Sequence, residues 1–324
     1  WQAMNVKKTK KIVVLATGGT IAGLADDVSA PQRYKAAQLG VGQLLEGVVS
    51  ADIPVVTEQV AQIDSKDMSY GIWQALVGRV DHWLAQEDVQ AVVITHGTDT
   101  LEETAYLLQS LLQPLKPVVL TCAMRPANAL DSDGPSNLKD AFVVAQSQDA
   151  AGVWAVCAGQ VHAAYDVQKI RSHQLNAFTS GDAGPVAHVR DGQFQRARVA
   201  PAHVQEWSVP SAQAFCAATR WPRVEWIVNH AGADGRMVRA MLASDAPDGW
   251  IVAGTGNGSM HRDLEAALLE AQARGARVLR TSRCALGAAQ ANPGDVFPVA
   301  AGLAPAKARV ALLLSLMAAN LSGS

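Results

Sequence analysis

Ala91 to Thr95 is an unbroken apolar, β-branched run that stops at the small polar cluster His96-Gly97-Thr98-Asp99, after which a helical pattern begins. A run without polar alternation reads as a strand buried on both faces, the kind found in parallel sheets flanked by helices. Thr100, followed three residues later by Glu103, reads as a capping box and marks the helix start. Thr98 and Asp99 are then expected on the turn at the carboxyl end of a buried strand, the edge where open α/β sheets bind ligands. A hydroxyl, a carboxylate and main-chain N–H groups converging there point to acyl-transfer chemistry.

Lys11 to Ala16 is a second short run of this kind, followed directly by Thr17-Gly18-Gly19-Thr20-Ile21-Ala22-Gly23. The glycines let the backbone turn tightly and approach a ligand closely, so Thr20 is a second hydroxyl presented at a strand end. Nucleotide-binding folds use similar strand-to-helix turns. This one matches neither G-x-G-x-x-G nor G-x-x-x-x-G-K-[ST], and no lysine follows to reach a phosphate.

Strand-like and helical patterns alternate along the chain. Val55 to Ile63, Ala91 to Thr95, Pro117 to Ala123 and Val153 to Ala158 read as strands. Trp73, Leu76, Val77, Val80, Trp83 and Leu84 recur at helical spacing, and Leu101 to Leu112 and Asn137 to Gln146 also read as helices. From Gly181 to Pro222 the pattern dissolves, apart from a hairpin expected at Asp191-Gly192. Alternation resumes through strands at Val224 to Val228, Trp250 to Gly254 and Arg277 to Thr281. The helices there span Gly235 to Ala243, Leu264 to Ala273 and Ala306 to Ala319. The fold class is therefore α/β, with a larger N-terminal domain of mainly parallel sheet and a smaller parallel-sheet domain after it. The boundary is expected near residue 215 (1–214 and 215–324), with a linker at about 196–222. A length of 324 residues, above the ~250–300 at which single cores stop growing, agrees with two domains.

A formal net charge of −2 gives no basic face for nucleic acid and no polybasic run for a membrane surface. No apolar stretch approaches the ~18 residues of a membrane span, and WQAMNVKKTK lacks the apolar core of a signal peptide. Cys122, Cys157, Cys216 and Cys284 show no C-x-x-C spacing, and His162, His173 and His261 no ligand spacing, so neither a metal nor a cofactor is expected. Cys122 and Cys157 sit in apolar runs and read as buried, inert thiols. A reducing compartment, the cytoplasm, fits these cysteines, with a mature periplasmic form as the alternative. The eight Trp residues read as core and interface. The absence of a G-x-S-x-G elbow argues against a Ser-His-Asp hydrolase.

ATGGTIAG (Ala16 to Gly23) and ITHGTDTLEETA (Ile94 to Ala105) together resemble the bacterial-type L-asparaginases and glutaminase-asparaginases. Ala123-Met124-Arg125-Pro126, Asp133-Gly134-Pro135, Asp166-Val167-Gln168-Lys169 and Gly254-Thr255-Gly256-Asn257-Gly258-Ser259 follow in the same order, and the likeness runs from about Lys11 to Ala319. The resemblance implies double-displacement hydrolysis of a side-chain amide. Thr20 would form the acyl-enzyme, with Tyr34 nearby on a lid, and Thr98, Lys169 and Asp99 would be a second hydroxyl–amine–carboxylate set. Turn amides at Gly19–Thr20 and Gly97–Thr98 would stabilise the oxyanion. Ser65, Lys66 and Asp99 would bind the α-groups of the substrate, L-asparagine, with glutamine as a secondary substrate. Ser259 would come from a neighbouring subunit of a homotetramer built as a dimer of dimers.

Two positions depart from the family pattern. Lys66 stands where the family commonly has Gln; it either strengthens carboxylate binding or points to solvent. Gly287 to Asp295 contains no Glu where the family supplies one from a partner subunit, and Asp295 is the nearest substitute. These departures motivate a rival reading, a non-hydrolytic amino-acid sensor on the same scaffold. A nucleotide-binding enzyme using the turn at Thr17 to Gly23 is a third reading. His96 reads as structural at least as readily as catalytic.

Overall fold

The computed structural model describes residues 10–27, 33–200, 207–300 and 302–322. The chain divides into two compact units, Trp1–Ala202 and His203–Ser324. The junction falls ahead of the boundary expected near 215. Ser211 caps a short helix, α5 (Ala212–Ala217), by accepting from the Ala214 N–H. Phe215 on that helix is fully buried and packs edge-on against Trp221, 5.2 Å between ring centroids. These residues lie in the second unit.

In chain order the first unit contains β1 (Lys11–Gly18), β2 (Leu24–Ala25), β3 (Tyr34–Lys35), α1 (Val41–Leu45), β4 (Val55–Ile63), α2 (Tyr70–Leu84), β5 (Val89–Thr95), α3 (Leu101–Leu112), β6 (Pro117–Thr121) and α4 (Gly134–Gln146). It continues with β7 (Gly152–Cys157), β8 (Gln160–Ala163), β9 (Gln168–Lys169), β10 (Phe178–Thr179), β11 (Ala187–Arg190) and β12 (Gln193–Arg196). Eight strands form one sheet in the order β12-β11-β8-β7-β6-β5-β1-β4. The run β4-β1-β5-β6-β7 is parallel, and the pairs from β7 to β12 are antiparallel. Ile12, Val14, Val93 and Val119 pack with Leu138 and Phe142 of α4, each buried side chain contributing about 1.5–3 kcal/mol. Trp73, Leu76, Val77 and Val80 form the buried stripe of α2, which Ser69 caps through the Ile72 N–H. The Asp191-Gly192 hairpin forms between β11 and β12, with φ of 52° and 70° as the mirror-image tight turn requires. The two-residue pairs β2/β3 and β9/β10 are too short to show a period in the sequence.

The second unit is a parallel three-stranded sheet, β13 (Val224–Val228), β14 (Gly249–Gly254) and β15 (Arg277–Ser282), with α6 (Arg236–Ser244), α7 (Arg262–Ala273) and α8 (Pro305–Ser322). Its core gathers Trp250, Val252, Leu264, Leu268 and Phe297. Among the described residues no helix is long and apolar enough to cross a membrane.

Candidate active site

Two adjacent strands deliver the reactive turns. β1 and β5 run parallel in register, with Ala16 opposite Thr95, so the segments after them emerge side by side. Gly18 and Gly19 take φ of 107° and 84°, values that L side chains rarely adopt. A Cβ on Gly19 would lie 2.5 Å from the Gly97 backbone, and one on Gly97 would collide with the Ser65 Oγ. The turns after β1, β4 and β5 are thus pressed together at the carboxyl edge of the sheet. Thr20 opens a three-residue 3-10 turn, Thr20–Ala22, not an α-helix, so the nucleotide reading loses the helix N-terminus it needs for a phosphate.

Thr20 is only 7% exposed, and its hydroxyl shares a hydrogen bond of 2.7 Å with the Tyr34 hydroxyl on β3. The Lys169 ammonium on β9 donates to Thr98 Oγ1 at 2.8 Å and to Asp99 Oδ1 at 2.7 Å. The Asp99 N–H donates to Ser65 Oγ (3.1 Å). Thr100 is the N-cap of α3, but the capping box does not form: its hydroxyl donates instead to the Ser65 carbonyl at 2.9 Å. That bond ties the loop after β4 to the loop after β5.

Both threonines line one cavity of about 430 Å³, together with Tyr34, Asp99, Met124, Arg125, Pro126, Lys169, Ser172 and His173. Gly19, Ser65 and Gly97 are buried beneath its wall. Lys66 takes the outward alternative: its exposed ammonium pairs with Asp64 and Asp67, both at 3.0 Å, and those bonds raise its pKa. Ser259 belongs to the second unit, in a tight turn bridged to Thr255. Asp295 is not a free carboxylate. It accepts from the Asn292 N–H and from the buried Arg280 guanidinium, and these bonds hold its pKa down. Arg280 also donates to the carbonyls of Gln290 and Phe297, pinning the whole 290–297 segment.

Met124, Arg125, Ser172 and His173 are wall residues that sequence reasoning did not assign to the site. The first two were within reach of the strand-edge rule, because they follow the carboxyl end of β6. Asp133 fixes them by accepting from the Met124 and Arg125 N–H groups. Ser172 and His173 ride on the loop between β9 and β10, which carries no periodic signal. His96 is structural and fully buried. Trp73 donates to Thr104 Oγ1, Thr104 Oγ1 meets His96 Nε2 at 2.9 Å, and His96 Nδ1 meets the Gly97 carbonyl at 2.7 Å. Burial lowers its pKa to about 4, so the ring is neutral.

Residues 11–200 match the family model "Asparaginase, N-terminal", and residues 223–321 match "Glutaminase/Asparaginase C-terminal domain". The chain is 35% identical to L-asparaginase 2 of Escherichia coli over 94% of this chain and 88% of that protein. Identity is 33% with L-asparaginase 2 of Bacillus subtilis (98% and 85% covered) and 35% with glutaminase-asparaginase of Pseudomonas fluorescens (97% and 89%). The solved structure of a probable cytoplasmic L-asparaginase from Campylobacter jejuni superposes with a TM-score of 0.87 at 34% identity, covering 95% of each chain.

Proposed function

This chain belongs to the family of bacterial L-asparaginases and glutaminase-asparaginases, and on that premise we propose that it hydrolyses L-asparagine to L-aspartate and ammonia through an acyl-threonine. The reading is supported above all by the two pairs Thr20–Tyr34 and Thr98–Lys169 facing one cavity. Thr20 Oγ1 attacks the side-chain amide carbon as its proton passes to the Tyr34 oxygen, which hands its own hydroxyl proton to the amide nitrogen. The C–N bond then breaks, and the nitrogen, carrying the proton from Tyr34, leaves as ammonia. Water attacks the resulting ester, its proton relayed through the Thr98 hydroxyl, which Lys169 and Asp99 hold in place, to Thr20 Oγ1 as the ester bond breaks and L-aspartate leaves. The Gly19 amide is committed to the Ile63 carbonyl (2.8 Å), so the amides of Thr20 and Thr98 are the donors assigned to the oxyanion.

Asp99 takes the α-ammonium group of the substrate, and Ser65, whose oxygen already accepts from Asp99, turns its O–H to the α-carboxylate. Gly19 and Gly97 allow the backbone to approach. Lys66, engaged with Asp64 and Asp67, takes no part. Glutamine is a secondary substrate. The active assembly is a homotetramer, a dimer of dimers, in which a neighbouring subunit contributes Ser259. The compartment is the cytoplasm, in keeping with one solved relative. The sensor reading draws no support from relatives named as hydrolases. Ammonia release from asparagine and from glutamine tests the proposal. Thr20→Ala and Thr98→Ala should each abolish release in a folded protein; near-parental turnover in both would overturn the assignment.

A further inference from the structure

Lys169 stands on a pair of strands that the large sheet does not include. β9 and β10 form a separate two-stranded ladder, with Phe178 opposite Lys169 and Thr179 opposite Gln168. So short a ladder has little stability of its own. Yet the Lys169 ammonium must meet Thr98 Oγ1 and Asp99 Oδ1 together, at 2.8 and 2.7 Å.

Arg198 reaches both ends of this ladder. Its Nη2 donates to Asp166 Oδ2 at 2.5 Å, just ahead of β9, and to the Gly184 carbonyl at 2.8 Å, on the turn that follows β10. Nε donates to the same carbonyl at 3.0 Å. The planar fork of a guanidinium can serve two chain segments at once, which a lysine ammonium does less rigidly. The side chains of Arg198 and Asp166 are 22% and 14% exposed, so solvent screens the pair only weakly.

Both partners are tied to the large sheet. The N–H groups of Ala197 and Arg198 donate to the Val186 carbonyl, which adjoins β11. The N–H groups of Asp166 and Val167 donate to the carbonyl of Ala163, the last residue of β8, and Val167 is fully buried. Neither Arg198 nor Asp166 is among the residues that line the cavity.

We propose that Arg198 and Asp166 are positioning residues for Lys169: the pair clamps both ends of the β9/β10 ladder to the large sheet and so keeps the ammonium on Thr98 and Asp99. The inference rests on the hydrolase reading for its activity readout alone. Loss of the clamp leaves every cavity-lining side chain present but lets Lys169 shift against Thr98, and a displacement of about 1 Å can cost about 10²-fold in rate.

Asp166→Asn, which keeps an oxygen for the Arg198 N–H groups, and Arg198→Met are made in the parent and in a Lys169→Met background, with circular dichroism to check folding. In the parent background kcat should fall, by about 10- to 100-fold for Arg198→Met, with KM changed by less than about threefold. In the Lys169→Met background neither substitution should lower kcat further, because the group they act through is gone. Equal fold losses in the two backgrounds, or no loss in the parent, would overturn the proposal. A second readout needs no turnover: brief acylation with acetic anhydride, followed by peptide mass spectrometry, with the exposed Lys66 as reference. Arg198→Met should raise Lys169 acylation severalfold while Lys66 stays level; unchanged Lys169 labelling would equally overturn it. Should Arg198→Met not fold, Asp166→Asn carries both readouts. Were the parent to release no ammonia, the hydrolase reading would fall, and the labelling would still decide the clamp.

Discussion

Thr20 and Thr98 are each only 7% exposed, yet the hydroxyls meet groups able to move protons, Tyr34 and Lys169. Such burial excludes water and strengthens each contact. Thr20→Val is expected to remove ammonia release entirely, and Lys169→Met to lower kcat by about 10²–10⁴-fold, the usual worth of a positioned acid or base. Circular dichroism should show both variants folded. His96 carries a separate expectation. The imidazole ordinarily titrates near 6.5, and burial takes it to about 4 in the folded chain. Between those values the unfolded chain binds a proton that the folded one does not. The stability it contributes is complete above pH 6.5 and drains away as pH falls toward 4, a total of about 3 kcal/mol. Urea midpoints of the parent at about pH 7.5 and about pH 5 should differ by more than those of His96→Gln.

At the scale of elements, the sequence carries most of the sheet. β4, β13 and α3 have the bounds that the sequence pattern assigns; the stripe of α3 is governed by burial, while β4, an edge strand with no fully buried residue, is legible from its β-branched residues. What it does not carry are the two-residue strands β3 and β9, although they deliver Tyr34 and Lys169 to the cavity. Two residues cannot display a period; tertiary contact decides them. Thr100 teaches the same lesson, since a local cap lost to the Ser65 carbonyl of another loop. The joined turns also make a testable element. Gly19→Ala would force a left-handed backbone position and press a methyl group on Gly97. A loss of more than about 1 kcal/mol of stability, together with most activity, is expected from thermal unfolding and ammonia assays. In the second unit, Arg280→Met should release the 290–297 segment and cost at least about 2 kcal/mol, seen as a lowered unfolding midpoint.

At the scale of the whole molecule, each unit has its own sheet and core, and the described residues that line the cavity belong to the first. The second unit then holds Ser259 for the assembly proposed above. Sedimentation should give a species of four chains, and specific activity should fall as the protein is diluted through its dissociation range. Ser259→Ala should raise KM with a smaller effect on kcat; an unchanged KM would remove Ser259 from the site. Because β1 and β5 are immediate neighbours, the turns that carry the two alcohols leave the sheet side by side and line one cavity. Rim positions such as Ser172 and His173 can therefore drift toward new amides over evolutionary time while the reactive pair keeps its calibration.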